Sequence, residues 1–294
     1  MGRVTQRRRV VRIRDGAVGS RPDTLAAEEP LEIRLNGARL AVTMRTPGDD
    51  VALAAGFLVS EGVVARAAEV RSIAHCAGGP RGAAGAGACA AAPGEAADPA
   101  RDNVVDVRLA AGVPVPDLTL RRHVYTTSSC GVCGKASLEA VRTTARWPLG
   151  DGPTGLTPDT LASLPERLRA AQRVFDRTGG LHAAGLFTAA GEPLDVAEDV
   201  GRHNAVDKVV GRALLHDRLP LHGTVLMVSG RASFELVQKA LMAGVPVLAA
   251  VSAPSSLAVD LAVEAGLTLV GFLRGRSMNV YGGAHRLALP TERD

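Results

Sequence analysis

Aromatic side chains are scarce: five Phe, two Tyr and one Trp make up 3% of the 294 residues. Proteins that hold single-stranded nucleic acid by stacking need aromatic platforms beside a basic stripe. The shortage argues against a nucleic-acid partner even though the formal net charge is +4. Lysine is nearly missing too, with three among 34 basic residues, and beside abundant Ala this reads as a compositional bias that names no partner. The N-terminus lacks the apolar core of an export signal, because Arg7, Arg8 and Arg9 are followed by further charge. A cytoplasmic protein is therefore expected. There is no G-x-G-x-x-G or Walker loop, which disfavours ordinary NAD or ATP chemistry. The uncharged run from Ala240 to Val259 is interrupted by Gly244, Pro246 and Pro254. It reads as a buried strand leading into a helix, with no membrane partner. Four cysteines in a core-rich chain without export predict reduced thiols.

What is present is an ordinary globular mixture, 46% hydrophobic and 22% charged, enough for one large domain or two small ones. The expected class is α/β, with a mixed-sheet N-terminal part and a βαβαβ parallel-sheet C-terminal part. Residues 1–20 read as a basic, solvated arm with a short strand at Val10 to Ile13. Residues 21–110 form an N-terminal lobe. Leu31, Ile33 and Leu35 alternate with polar residues up to Asn36-Gly37, and Leu40, Val42 and Met44 alternate after it, which predicts a hairpin. Asp49 or Asp50 then caps a helix from Val51 toward Glu61 that stops at Gly62. Within residues 74–100, 21 of 27 are Ala, Gly or Pro, predicting a flexible insert that carries Cys76 and Cys89 on a surface loop. Residues 111–150 hold a cysteine loop and a helix. Residues 151–294 form a C-terminal lobe, opening on a helix capped by Thr157 with Pro158 at its first position. Strands follow at Ala183 to Thr188 and Leu194 to Val200, then a helix capped by Asn204. The runs Thr224 to Val228, Val245 to Val251 and Leu267 to Leu273 alternate with helical segments, the pattern of a parallel sheet. Ligands bind such sheets at the loops leaving the strand ends. Those loops bring Arg231, Arg274 and Arg276 to one edge together with several hydroxyls.

Three motifs carry chemistry. The first is CGVCGK, from Cys130 to Lys135. A CxxC serves as half a zinc site, a redox dithiol, or a nucleophile with a helper thiol. Zinc fits poorly, because the other two cysteines are separated by twelve intervening residues in the Gly/Ala-rich insert. No zinc-deaminase signature is present, since no His is followed two places later by Glu and Ser129 stands where Pro is required. The helix-forming residues after Cys133 place both sulfurs at a helix start, where the peptide dipoles favour thiolate. The second motif, EDVGRHNAVDK from Glu198 to Lys208, allows a metal or acid–base role through His203 and Asp207. A cap at Asn204 and a Glu198–Arg202 pair explain it equally well without chemistry, and the structural reading is preferred. The third is the arginine edge, suited to phosphate groups.

Together, CGVCGK, EDVGRHNAVDK, SGRASFELVQKA, the SAPSSLAV run and GFLRGRSMNVY resemble, in the same order, the formate dehydrogenase accessory sulfurtransferases of the FdhD/NarQ family. RTPGDDVALAAGFLVSEG is similar to that family as well, so the resemblance extends from about Glu28 to the end. It implies a dimeric, cytidine-deaminase-like fold. The implied activity moves persulfide sulfur from a cysteine desulfurase to the molybdenum bis-molybdopterin guanine dinucleotide cofactor, which is then competent for the formate dehydrogenase catalytic subunit. By position the resemblance makes Cys130 the persulfide-bearing cysteine and Cys133 its companion. Phe272, Leu273, Arg274, Gly275, Arg276 and Ser277 become the cofactor-binding segment, with GDP-like nucleotides as mimics and no resident metal. The alternative is a non-catalytic zinc- or nucleotide-binding chaperone that only escorts the cofactor.

Overall fold

The computed structural model describes residues 3–76, 103–115, 145–149 and 155–289. It opens with a two-stranded antiparallel ribbon, β1 (Thr5–Arg14) and β2 (Ala17–Ala26), reversed by Asp15 and Gly16, both at positive φ. The solvated arm expected at the N-terminus is thus paired strand. Its pairing runs unbroken from Thr5 opposite Ala26 to Arg14 opposite Ala17. Backbone hydrogen bonding stabilises it, since Val11, Ile13 and Val18 remain exposed.

A four-stranded sheet follows, made of β3 (Glu29–Leu35), β4 (Ala38–Arg45), β5 (Val70–His75) and β6 (Val104–Leu109) in the order β4-β3-β6-β5. The predicted β3–β4 hairpin is present, and Asn36 and Gly37 both take positive φ. That is what a two-residue turn matching strand twist requires. Leu31, Ile33 and Leu35 face inward. Between β4 and β5 runs α1 (Asp50–Ser60). Asp49 occupies the cap position as expected but makes no side-chain cap hydrogen bond, because each carboxylate is committed to an arginine: Asp49 to Arg212 at 2.6 Å and Asp50 to Arg45 at 2.9 Å.

The larger sheet has six strands, β7 (His182–Thr188), β8 (Pro193–Asp199), β9 (Thr224–Val228), β10 (Val247–Ala250), β11 (Thr268–Arg274) and β12 (Ser277–Gly282). Their order is β12-β11-β10-β9-β7-β8. The central β9, β10 and β11 are parallel, as the alternating runs predicted, while β7, β8 and β12 pair antiparallel at the flanks. Connecting helices are α4 (Arg202–Leu215), α5 (Phe234–Met242) and α6 (Ser256–Glu264). Before β7 come α2 (Pro158–Ala171) and the short α3 (Arg173–Thr178); Thr157 Oγ1 accepts from the Thr160 N–H, the predicted cap.

Strand periodicity sorts the core onto the two faces of this sheet. Leu226, Val228, Leu248 and Ala250 join a cluster with α1, α4, α5, α6 and the smaller sheet. Val225, Met227, Val247 and Ala249 join the opposite cluster, covered by Leu161, Leu164 and Leu168 of α2. Helices α1 and α4 cross at two glycines. A Cβ on Gly56 would sit 1.8 Å from the Asp207 carbonyl oxygen, and one on Gly211 would sit 1.8 Å from that of Ala52. The uncharged Ala240 to Val259 run is the end of α5, β10 and the start of α6. Among the described residues no helix is long and apolar enough to cross a membrane.

Candidate functional site

Cys130, Cys133 and Lys135 lie outside the described residues, as does Cys89. The chain that follows the cysteine segment, residues 145–149, is fixed to the smaller sheet's end. Arg146 pairs with Glu69 at 2.7 Å, and the Arg66 guanidinium lies 5.7 Å from the centre of the Trp147 ring. Cys76 departs from expectation twice. It is buried at the end of β5, where its N–H extends the ladder to Val104 O, and it is disulfide-bonded, not a reduced thiol on a surface loop.

The residues of EDVGRHNAVDK divide into two sets. Glu198 does not pair with Arg202; its carboxylate accepts the Val174 and Phe175 N–H groups at the start of α3, at 2.8 and 2.7 Å. Asp199 is closed from solvent and holds Lys208 at 2.7 Å, while also accepting from Thr46 N, Gly201 N and Asn204 Nδ2. Asn204 does not cap α4, which begins at Arg202; it is buried and donates to Met44 O of β4. Asp207 accepts from Ser60 and pairs with Lys239 at 2.8 Å. Glu198, Asp199, Asn204, Asp207 and Lys208 therefore fasten elements together, in keeping with the structural reading.

Arg202 and His203 turn the other way, toward the ends of the parallel strands. His203 Nε2 lies 3.3 Å from Ser233 Oγ and 3.7 Å from Glu235 Oε2. The influence of His203, followed by a Ser233 hydrogen bond and opposed by burial, lowers the Glu235 carboxyl to about 2. His182, at the start of β7, is lowered below the usual imidazole value by burial first and then by the charges of Arg202 and His203, against Asp199. Burial and the Arg231 charge likewise lower Arg202. His182 and Glu235 escaped sequence reasoning because they belong to separate elements; the Gly-Arg-His step at the β8–α4 junction was the available signal.

The same edge continues through the loops. Gly230 O accepts from Ser252 N, and Ser252 O accepts from Phe272 N. Phe272 is 40% exposed and stands at φ 51, left-handed backbone that disfavours a bulky residue and collects at functional sites. Leu273 is buried beneath it, while Arg274, Gly275, Arg276 and Ser277 are exposed. The expected gathering of three arginines holds only in part. Arg274 Nε donates to Val251 O, whereas Arg276 reaches α2 and pairs with Asp159 at 2.6 Å. An exposed aromatic face beside cations suits a base carrying phosphates. Among the described residues no group of three His, Cys, Asp or Glu is arranged to hold a metal ion.

The profile of the FdhD/NarQ family matches residues 26–288. The Sulfur carrier protein FdhD of Streptomyces avermitilis is 71% identical over 98% of both chains. That of Mycobacterium tuberculosis is 57% identical over 98% of this chain and all of its own. Among solved structures, a protein of Desulfotalea psychrophila provisionally assigned as a formate dehydrogenase accessory protein superimposes with a TM-score of 0.70. It is 26% identical and covers 97% of this chain and all of the other. The cytidine-deaminase-like part of the expectation rests on the resemblance alone.

Proposed function

This chain belongs to the FdhD/NarQ family, and from that premise we propose that it carries persulfide sulfur from a cysteine desulfurase to the molybdenum bis-molybdopterin guanine dinucleotide cofactor of a formate dehydrogenase. The Cys130 thiolate attacks the terminal sulfur of the desulfurase persulfide and releases the desulfurase thiolate. It keeps that sulfur as its own persulfide and discharges it toward the cofactor with help from Cys133. Phe272, Leu273, Arg274, Gly275, Arg276 and Ser277 hold the cofactor's guanine dinucleotide. The chain acts in the cytoplasm as a homodimer, with the formate dehydrogenase catalytic subunit as its client.

The observation that carries this reading is near-full-length identity to proteins named as sulfur carriers, 71% in the nearer case given above. The strained, exposed Phe272 beside Arg274 supports the cofactor half of it. The test is complementation of a strain lacking this gene. Wild-type protein should restore formate dehydrogenase activity and Cys130→Ala should not. Full restoration by Cys130→Ala would favour a chaperone that escorts the cofactor without carrying sulfur.

A further inference from the structure

Arg202 and Arg231 feel each other's charge, and among the described residues no carboxylate forms an ion pair with either. Arg202 Nε is shut off from solvent and has no acceptor among the described residues. The carboxylates that could serve are occupied: Asp199 by Lys208, Asn204 and two backbone N–H groups, and Glu235 by His203, although it attracts Arg202 as well. Two cations held together against their mutual repulsion, one with a buried donor unused, are arranged for an anion that arrives from outside.

Gly230 and His182 stand beside Arg202. A Cβ at Gly230 would lie 3.5 Å from His182 Nδ1 and 3.9 Å from Arg202 Cδ, so the Gly230 backbone runs at ordinary contact distance from both side chains. Ser229 Oγ accepts the Ala183 N–H at 2.9 Å, leaving its proton to donate. The set comes from three places in the fold: the start of β7, the start of α4 and the β9–α5 loop. Guanidinium forks match tetrahedral oxyanions in geometry, and two of them balance a dianion.

We infer that His182, Arg202, Gly230 and Arg231 form a subsite for a phosphate or pyrophosphate group, separate from the Phe272–Ser277 segment. The hydrogen-bonded steps Gly230–Ser252–Phe272 put the Gly230 and Phe272 backbones about 10 Å apart, two strand spacings of about 4.8 Å. That separation suits a nucleotide with its base on Phe272 and a diphosphate that runs past Arg274 and Arg276 to end at Arg202 and Arg231. Assigning the phosphates to the guanine dinucleotide rests on the cofactor reading above; the anion subsite does not.

Calorimetric titration of the full chain with inorganic pyrophosphate and, separately, with GDP tests both parts. Arg231→Ala, an exposed position, and Arg202→Gln should each weaken pyrophosphate at least tenfold. Phe272→Ala should weaken GDP while leaving pyrophosphate within twofold. Arg231→Lys should retain part of the pyrophosphate affinity, with a wild-type unfolding midpoint. Absence of pyrophosphate binding by the wild type, or affinity within twofold of it in both arginine variants, overturns the subsite. If the arginine variants lose pyrophosphate but GDP binding ignores them and Phe272→Ala alike, the subsite stands and its assignment to the dinucleotide fails.

Discussion

Lys208 Nζ and Asp199 Oδ2 lie 2.7 Å apart with both side chains closed from solvent, and both also reach across to Thr46 in the N-terminal half of the chain. Lys208 donates to Thr46 O, while Asp199 accepts from Thr46 N. Removing one partner strands the other in a low-dielectric interior. Lys208→Ala should therefore cost about 3–5 kcal/mol of stability, read as a fall in the urea midpoint. A loss under about 1 kcal/mol would mean that the pair is not closed from water.

Gly56→Ala gives a test in which two effects oppose. Alanine ordinarily gains about 1 kcal/mol over glycine inside a helix, but here the new methyl would collide with the Asp207 carbonyl. Overpacking should win by a net 2 kcal/mol or so, because α1 and α4 must separate along their crossing. A stabilised Gly56→Ala protein would refute the close approach of the two helices.

GDP binding should depend on Arg274 and Arg276 although the latter is paired. The Arg276–Asp159 pair is 83% and 73% exposed, a kind of pair worth at most about 1 kcal/mol. A charge-assisted phosphate contact is worth about 1.5–3 kcal/mol, so Arg276 exchanges partners. Arg274→Ala and Arg276→Ala should each weaken GDP about tenfold, while Asp159→Ala should leave affinity equal or higher. Weakening by Asp159→Ala would show that the pair itself shapes the site.

Acid should destabilise the protein in two stages. His182 is lowered on folding, so the unfolded chain takes up its proton first and stability falls as pH drops below about 6.5, the ordinary imidazole value. Glu235, lowered to about 2, contributes fully above the ordinary carboxylate value and loses that contribution as pH falls from there toward 2. Urea midpoints measured between pH 7 and pH 3 should decline less steeply for His182→Asn in the upper range and for Glu235→Gln in the lower. Parallel profiles for all three proteins would contradict these shifts.

Much of the architecture was legible wherever local chemistry agreed with the fold. Asn36-Gly37 announced its hairpin because both residues tolerate positive φ, and Thr157-Pro158 announced its helix because cap and first position match. The apolar runs of β9, β10 and β11 read as parallel strands because both faces are covered. Of the β1–β2 ribbon only Val10 to Ile13 was legible as strand, since its strands bury no alternating face. Asn204 misled for a different reason. It has the chemistry of a cap, but its partners Met44 and Asp199 belong to other strands, and no local pattern encodes them. At the site, Arg274 and Arg276 were legible as loop arginines at the sheet edge and the full Phe272 to Ser277 segment through motif resemblance, whereas His182 and Glu235 required the fold to bring them to Arg202.

The central claim is that sulfur travels on Cys130, and the direct measurement is where it resides after loading. The protein is incubated with a cysteine desulfurase and free cysteine, trapped by alkylation, and mapped by peptide mass spectrometry. In the helix start that the sequence predicts for this CxxC, the first sulfur is the more exposed and the more acidic, so the additional sulfur should reside on Cys130. It should be absent from Cys130→Ala and retained by Cys133→Ala. Sulfur found on Cys133 alone, or loading that survives Cys130→Ala, would contradict the account.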